Sequence, residues 1–137
     1  MKKLVRESLD EEPYVDYEEP HADKDGTIRW YNEDGELHRE DGPAVEELDG
    51  SKYWWINGKL HREDGPAIEY AGGTKVWCLN GKRHREDGPA MEYANGDKEW
   101  YLNDNLHRED GPAIEYVDGY KEWWLNNIQQ PDYFGKK

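Results

Sequence analysis

The sequence predicts an all-β fold: an elongated antiparallel meander of about five repeated β-hairpins, preceded by an acidic N-terminal arm. Three observations carry this expectation. His38, His61, His84 and His107 are spaced by 23, 23 and 23 residues, the signature of a stacked repeat. Within each unit, stretches such as Ala67-Ile68-Glu69-Tyr70 and Lys75-Val76-Trp77-Cys78-Leu79 alternate in polarity and are bounded by glycine turns, the pattern of strands rather than helices. Finally, a chain with 34% hydrophobic and 36% charged residues would favour disorder, but its apolar share includes 7 Trp and 10 Tyr, rings that bury much area each.

In chain order, residues 1–19 read as an acidic arm or cap, residues 20–128 as the repeat array, and residues 129–137 as a C-terminal tail. The 137 residues suit one domain. The array opens on a half unit in which Asp25-Gly26 precedes Arg29, Trp30 and Tyr31, and Asn32-Glu33-Asp34-Gly35 carries one extra residue before His38. Each full unit then runs from H-R-E-D-G-P-A into a strand, a glycine turn and a second strand with Lys and Trp. Asn57-Gly58 and Asn80-Gly81 predict tight hairpins of the type that needs positive φ at both central residues. Asp64-Gly65-Pro66 predicts the opposite corner, with the glycine in a left-handed conformation and the proline opening a strand. At the end, Asn126-Asn127-Ile128 replaces the N-G-K of the unit and no further HREDGPA follows, as a terminal cap would require. About ten strands result. Tyr133 and Phe134 in the tail are expected to cover the last edge. A closed 23-residue solenoid would also stack identical residues, and the spacing of equivalent Trp residues separates the two architectures.

Alternation along the strands assigns faces. Trp54, Trp77, Trp100 and Trp123, each followed two residues on by Ile or Leu, define a regular face expected to be the packed side. Tyr31, Trp55, Cys78, Tyr101 and Trp124 form an irregular stripe on the other side. A thin layer does not easily bury both faces, so Tyr31, Trp55, Tyr101 and Trp124 are the candidate partner-binding residues.

N-G-K before a basic or apolar residue and His, then an aromatic residue before a D-G-like turn, then Trp, at 23 residues per unit, resembles MORN repeats over roughly residues 20 to 128. The resemblance implies short hairpins aligned into a long twisted sheet that scaffolds contacts with proteins, in some members with lipids. The L-H-R-x-D-G-P-A form is also similar to repeat proteins encoded by bacteria and their phages.

Charge narrows the partners. The net charge is −14, and residues 1–25, with nine acidic and four basic side chains, supply −5 of it. Such a surface repels phosphate backbones and anionic lipids, so neither direct nucleic-acid nor membrane binding is expected, whereas a protein with a basic surface is favoured. The acidic run from Glu7 to Asp25 reads as a solvated arm, or alternatively as a mimic of a phosphate backbone that fills a basic site on another protein. Cys78 is the single cysteine, which excludes an internal disulfide and suits a reducing, cytoplasmic setting. No segment has the length and apolarity of a membrane span.

The polar loop invites three chemical readings. His38, His61, His84 and His107 with Asp41, Asp64, Asp87 and Asp110 have ligand chemistry, but a metal site needs three or four convergent donors, so the histidines are expected to be structural and no metal or cofactor is expected. A constellation written four times is the opposite of one asymmetric catalytic site, so no enzyme is expected. Arg39, Arg62, Arg85 and Arg108, with the repeated Lys52, Lys75, Lys98 and Lys121, are candidate anion-binding residues, although the adjacent Glu and Asp would neutralise each base; the arginines are also expected to pair with Glu across neighbouring units. The leading expectation is a non-catalytic scaffold for protein–protein interaction. The alternative is a phage-type inhibitor of a host defence system that blocks a host protein or sequesters an anionic nucleotide signal.

Overall fold

A computed structural model describes residues 19–131, and in addition a two-residue antiparallel ladder that pairs Leu4–Val5 with Val15–Asp16. Apart from that ladder and Glu19, the acidic arm lies outside the described residues, as do Tyr133 and Phe134.

The array is one open antiparallel sheet of 11 strands whose spatial order follows the chain. It runs His21–Ala22, Ile28–Arg29, Val45–Glu46, Lys52–Tyr53, Ile68–Glu69, Lys75–Val76, Met91–Glu92, Lys98–Glu99, Ile114–Glu115, Lys121–Leu125 and Ile128–Gln130. Sequential order with antiparallel neighbours makes this a meander of hairpins and excludes the solenoid, whose coils would stack in parallel. Beyond the sheet the strands continue into a second tier of short hairpins: Trp55–Ile56 with Lys59–Leu60, Cys78–Leu79 with Lys82–Arg83, and Tyr101–Leu102 with Asn105–Leu106.

The two tiers meet at a bend on each repeated Trp. The amide of Trp54 donates to the carbonyl of Ala67 at 2.7 Å, while its own carbonyl accepts from His61 at 2.9 Å. One residue thus faces two partners six positions apart, and residues 62–66 leave the sheet as a large bulge. Trp77 and Trp100 repeat the arrangement with Ala90 and His84, and with Ala113 and His107. In the last unit no HREDGPA follows, and the consequence is direct: Lys121–Leu125 is an unbroken strand in which Trp123 pairs with Gln130.

The hairpin tips follow the sequence. Asn57 and Gly58 have φ of 48° and 78°, and Asn80 and Gly81 have 52° and 81°. The same left-handed pair survives at Asn103-Asp104 and Asn126-Asn127, where asparagine and aspartate, whose short polar side chains tolerate this region, replace glycine. The other corner differs from expectation. Gly42, Gly65, Gly88 and Gly111 are absent from the positive-φ residues. They are needed for space: a Cβ on Gly65 would lie 3.0 Å from the guanidinium carbon of Arg62, and one on Gly88 2.8 Å from that of Arg85.

Cross-strand register sorts the sheet into two rows, since directly paired residues share a face. One row reads Glu46, Lys52, Glu69, Lys75, Glu92, Lys98, Glu115, Lys121, alternating in sign at every strand. A slip of one strand by one residue would set these charges opposite the other row, apolar in most strands and Glu99 or Glu122 in two, so the row specifies register. The other row reads Val45, Tyr53, Ile68, Val76, Met91, Glu99, Ile114, Glu122. Its centre holds the core: Ala67, Ile68, Val76 and Cys78, with Tyr53, Leu60 and Met91 packed against them. Ala44, Ala67, Ala90 and Ala113, the alanines closing each HREDGPA, are fully buried.

Candidate functional site: the HREDGP loops and the clefts between them

The excursion of residues 62–66 is held by its own first side chain. Arg62 lays its guanidinium 3.8 Å from the centre of the Trp54 ring. Its Nε donates to Asp64 at 3.2 Å, and its Nη1 donates to the Pro66 carbonyl and to Glu69, both at 3.1 Å. Ring stacking below, the glycine backbone beside it and three acceptors around it fix the planar fork of an arginine in a way that lysine, a flexible point charge, would not. Arg85 repeats the set with Trp77, Asp87, Pro89 and Glu92, and Arg108 with Trp100, Asp110, Pro112 and Glu115. The Glu partner lies seven residues on in the same unit, and not in a neighbouring unit as the sequence suggested.

Histidine supplies the link between units. The amide of Asn57 donates to Nδ1 of His38, Asn80 to His61, Asn103 to His84 and Asn126 to His107, all at 2.9–3.0 Å. Each loop is thereby tied to the hairpin tip of the following unit. An Nδ1 that accepts leaves the ring hydrogen on Nε2, which faces Glu63, Glu86 and Glu109 at 3.2–3.3 Å in the inner and last loops. On the opposite edge, the hydroxyls of Ser51 and Thr74 and the carboxylate of Asp97 accept from the amides of Ala71, Ala94 and Val117 in the next turn.

Between successive loops lie three open clefts of about 820, 340 and 760 Å³. Each is floored by the repeated Trp and the apolar residue two positions on: Trp54 and Ile56, Trp77 and Leu79, Trp100 and Leu102. The walls are the Arg, Glu and Asp of the loops on either side. Glu40, Glu63, Glu86 and Glu109 are 81–82% exposed and Asp41, Asp64, Asp87 and Asp110 87–90%, so the rim presents carboxylates to solvent.

The candidate anion-binding arginines therefore have internal partners. Arg39, Arg62, Arg85 and Arg108 are 22–24% exposed at the side chain and each touches two carboxylates. The lysines of the repeat stand in the alternating row, each between glutamates of the adjoining strands except Lys121 at its end. Among the described residues no group of three His, Cys, Asp or Glu could hold a metal ion.

The exposure expected of the aromatic stripe needs correction at Tyr101. The regular Trp side is the one the loops cover, with Trp54, Trp77 and Trp100 half-buried beneath arginines and Trp123 buried. On the stripe side, Tyr101 is 8% exposed and Cys78 3%, so Tyr101 offers little surface. Tyr31, Trp55 and Trp124 are half-buried. Tyr31 packs edge-on against His21 at 5.3 Å, and the Trp124 indole donates to Glu122 at 2.9 Å. Tyr101 is covered by the guanidinium of Arg83, which lies 4.0 Å from its ring centre, and not by a second layer.

The second and third of the short hairpins together hold an arrangement that the sequence reading passed over. Arg83 replaces the leucine of the unit, stacks on Tyr101 at 4.0 Å and donates to Asp104, at the position of the turn glycine, at 2.7 Å. Cys78, its cross-strand partner, is small where other units carry aromatic rings. Tyr101 donates its hydroxyl to Glu99 at 2.9 Å. Burial pushes the Tyr101 phenol well above its usual range, with the Glu99 bond adding to it. Burial likewise pushes the Cys78 thiol to about 11, Asp104 adding to the rise and Arg83 opposing it. For Asp104, burial acts upward, but the hydrogen bonds and charge of Arg83 outweigh it and hold the carboxyl below its ordinary value. The signal was present in the sequence as three departures from the unit, at 78, 83 and 104, in one neighbourhood.

No protein-family model matches the chain, and no curated protein is significantly similar to it. Among the described residues no helix is long and apolar enough to cross a membrane.

Proposed function

We propose that the protein is a non-catalytic repeat scaffold, of the kind the MORN resemblance implies, that binds a partner protein of basic surface along its loop face. One observation carries this reading: clefts with a Trp and aliphatic floor and an exposed carboxylate rim recur three times on one face, in the register of the repeat. Apolar floor and acidic rim together suit side chains with an apolar stem and a positive head, and the net negative charge would speed their approach. Anion capture is less well supported, because the arginines that would bind the anion already carry internal carboxylates.

Selection from a displayed library of natural peptide segments tests this. The wild-type protein is expected to enrich basic segments, and Glu→Gln substitution at 40, 63, 86 and 109 to remove that enrichment. Enrichment of segments without basic residues, or a set unchanged by the substitutions, would overturn the reading.

A further inference from the structure

Resting on the protein-binding reading, we infer the conformation of the partner: an extended polyproline II segment carrying Lys or Arg at every third residue, one basic side chain entering each cleft.

The chemistry of a single cleft selects the side chain. Leu79 and the part of the half-buried Trp77 ring that Arg85 leaves open offer an apolar floor to an aliphatic stem, and Glu63, Asp64, Glu86 and Asp87 surround its head with carboxylates. With two arginines also lining that cleft and its histidine neutral, these side chains sum to −2, so an incoming cation is attracted. The resident guanidiniums stay in place, Arg62 on Trp54 and Arg85 on Trp77, each bonded within its own loop, so an incoming stem lies beside Arg85 and not beneath it.

The repeat selects the backbone. Equivalent points on successive hairpins are about two strand spacings apart, roughly 9.6 Å before twist. A polyproline II helix has three residues per turn at about 3.1 Å each, so every third side chain returns to the same edge after about 9.3 Å. A β-strand spans a similar distance in three residues but turns the third side chain to the opposite face. An α-helix returns to one face after seven residues at about 10.5 Å, and drifts out of step by about 2 Å over three clefts. Long basic side chains take up the rotation that sheet twist adds between clefts. Pro-rich segments are also stiff before binding, which lowers the ordering cost on an open groove.

Calorimetric titration of the full chain with synthetic peptides tests the inference. One peptide repeats Pro-Pro-Lys three times, a second has the same composition with its lysines consecutive, and a third is a helix former with lysine at every seventh position. The first is expected to bind about tenfold more tightly than the others, because only it engages three clefts at once. Its affinity should fall stepwise as single lysines become alanine. In Glu63→Gln/Glu86→Gln, whose glutamines still accept from the histidines, binding should weaken several-fold with the circular dichroism spectrum unchanged. Equal affinity for the consecutive-lysine peptide overturns the proposed register while leaving a basic partner in place. Failure of all three peptides to bind overturns the inference, and the library selection then judges the protein-binding reading separately.

Discussion

On the loop face, Trp54, Arg62 and Glu69 recur as Trp77, Arg85 and Glu92 and as Trp100, Arg108 and Glu115, with Arg–Glu distances of 3.1, 3.1 and 3.0 Å. On the opposite face the equivalent positions read Tyr53, Val76, Glu99 and Glu122. The difference follows from how many constraints each side chain meets. Arg62 has a ring, a backbone and three acceptors arranged around a rigid fork, so no single member changes alone. Tyr53 meets only neighbours across the sheet, where volume and polarity trade within a pair or a triplet, as Cys78, Arg83 and Asp104 do. Even the loop face loosens where a constraint is missing: the first unit, with its longer turn at Asn32 to Gly35, has Arg39 at 3.5 Å from Glu46 and 4.3 Å from the Trp30 ring.

Removing a ring from the loop face should have the largest effect. Trp77→Ala is expected to cost about 3 kcal/mol, because Arg85 loses its stacking surface and the bend loses its packing, and the midpoint of urea unfolding reads this directly. Gly88→Ala comes next at about 2 kcal/mol, since the new Cβ would press on a guanidinium that is held on every side. Gly72→Ala is its control: nothing lies within 4 Å of that Cβ, so stability should stay level or rise slightly. Equal costs for the two would show that space beside the arginine is not what the loop glycine provides.

The variable face should respond more weakly and in a coupled way. Arg83→Leu alone is expected to cost about 1 kcal/mol, because it strands Asp104 in a partly exposed site. The double change with Asp104→Gly restores the residues of other units and should recover most of that loss; additive costs in the double-mutant cycle would refute the coupling. A pH titration sharpens it. Because Asp104 has a lowered folded value, its contribution is present above the ordinary carboxylate range and is lost as pH falls through that lowered value. That acid-side loss should shrink in Arg83→Leu. The smallest effect concerns reactivity alone: with its thiol pushed to about 11, Cys78 should resist iodoacetamide near neutral pH until the chain is unfolded, and rapid labelling of the native protein would contradict its burial.

Much of the fold was legible because the relevant forces are local. Asparagine tolerates positive φ, so Asn57-Gly58 and Asn80-Gly81 could be recognised as turns without their surroundings, and the 23-residue step gave the repeat, while the pairing of the strands separated meander from solenoid. The loop was harder to read. Gly65 looked like a residue chosen for an unusual dihedral, while its reason is the guanidinium lying against it; a dipeptide motif does not reveal what approaches from three residues away. The solvent status of the aromatic stripe was also hidden, because Tyr101 is buried by Arg83 and its neighbours rather than by a second layer.

The sequence by itself determined the repeat, the hairpin turns, the all-β class and the acidity, all properties of short segments and of their periodicity. Only the tertiary structure decided which face the loops cover, that each arginine is satisfied within its own unit, that histidine ties one unit to the next, and that clefts open between the loops. Those outcomes depend on the bulge at each Trp. There a five-residue excursion folds back over the sheet, and its direction follows from where Arg62 and its counterparts find a ring and carboxylates together.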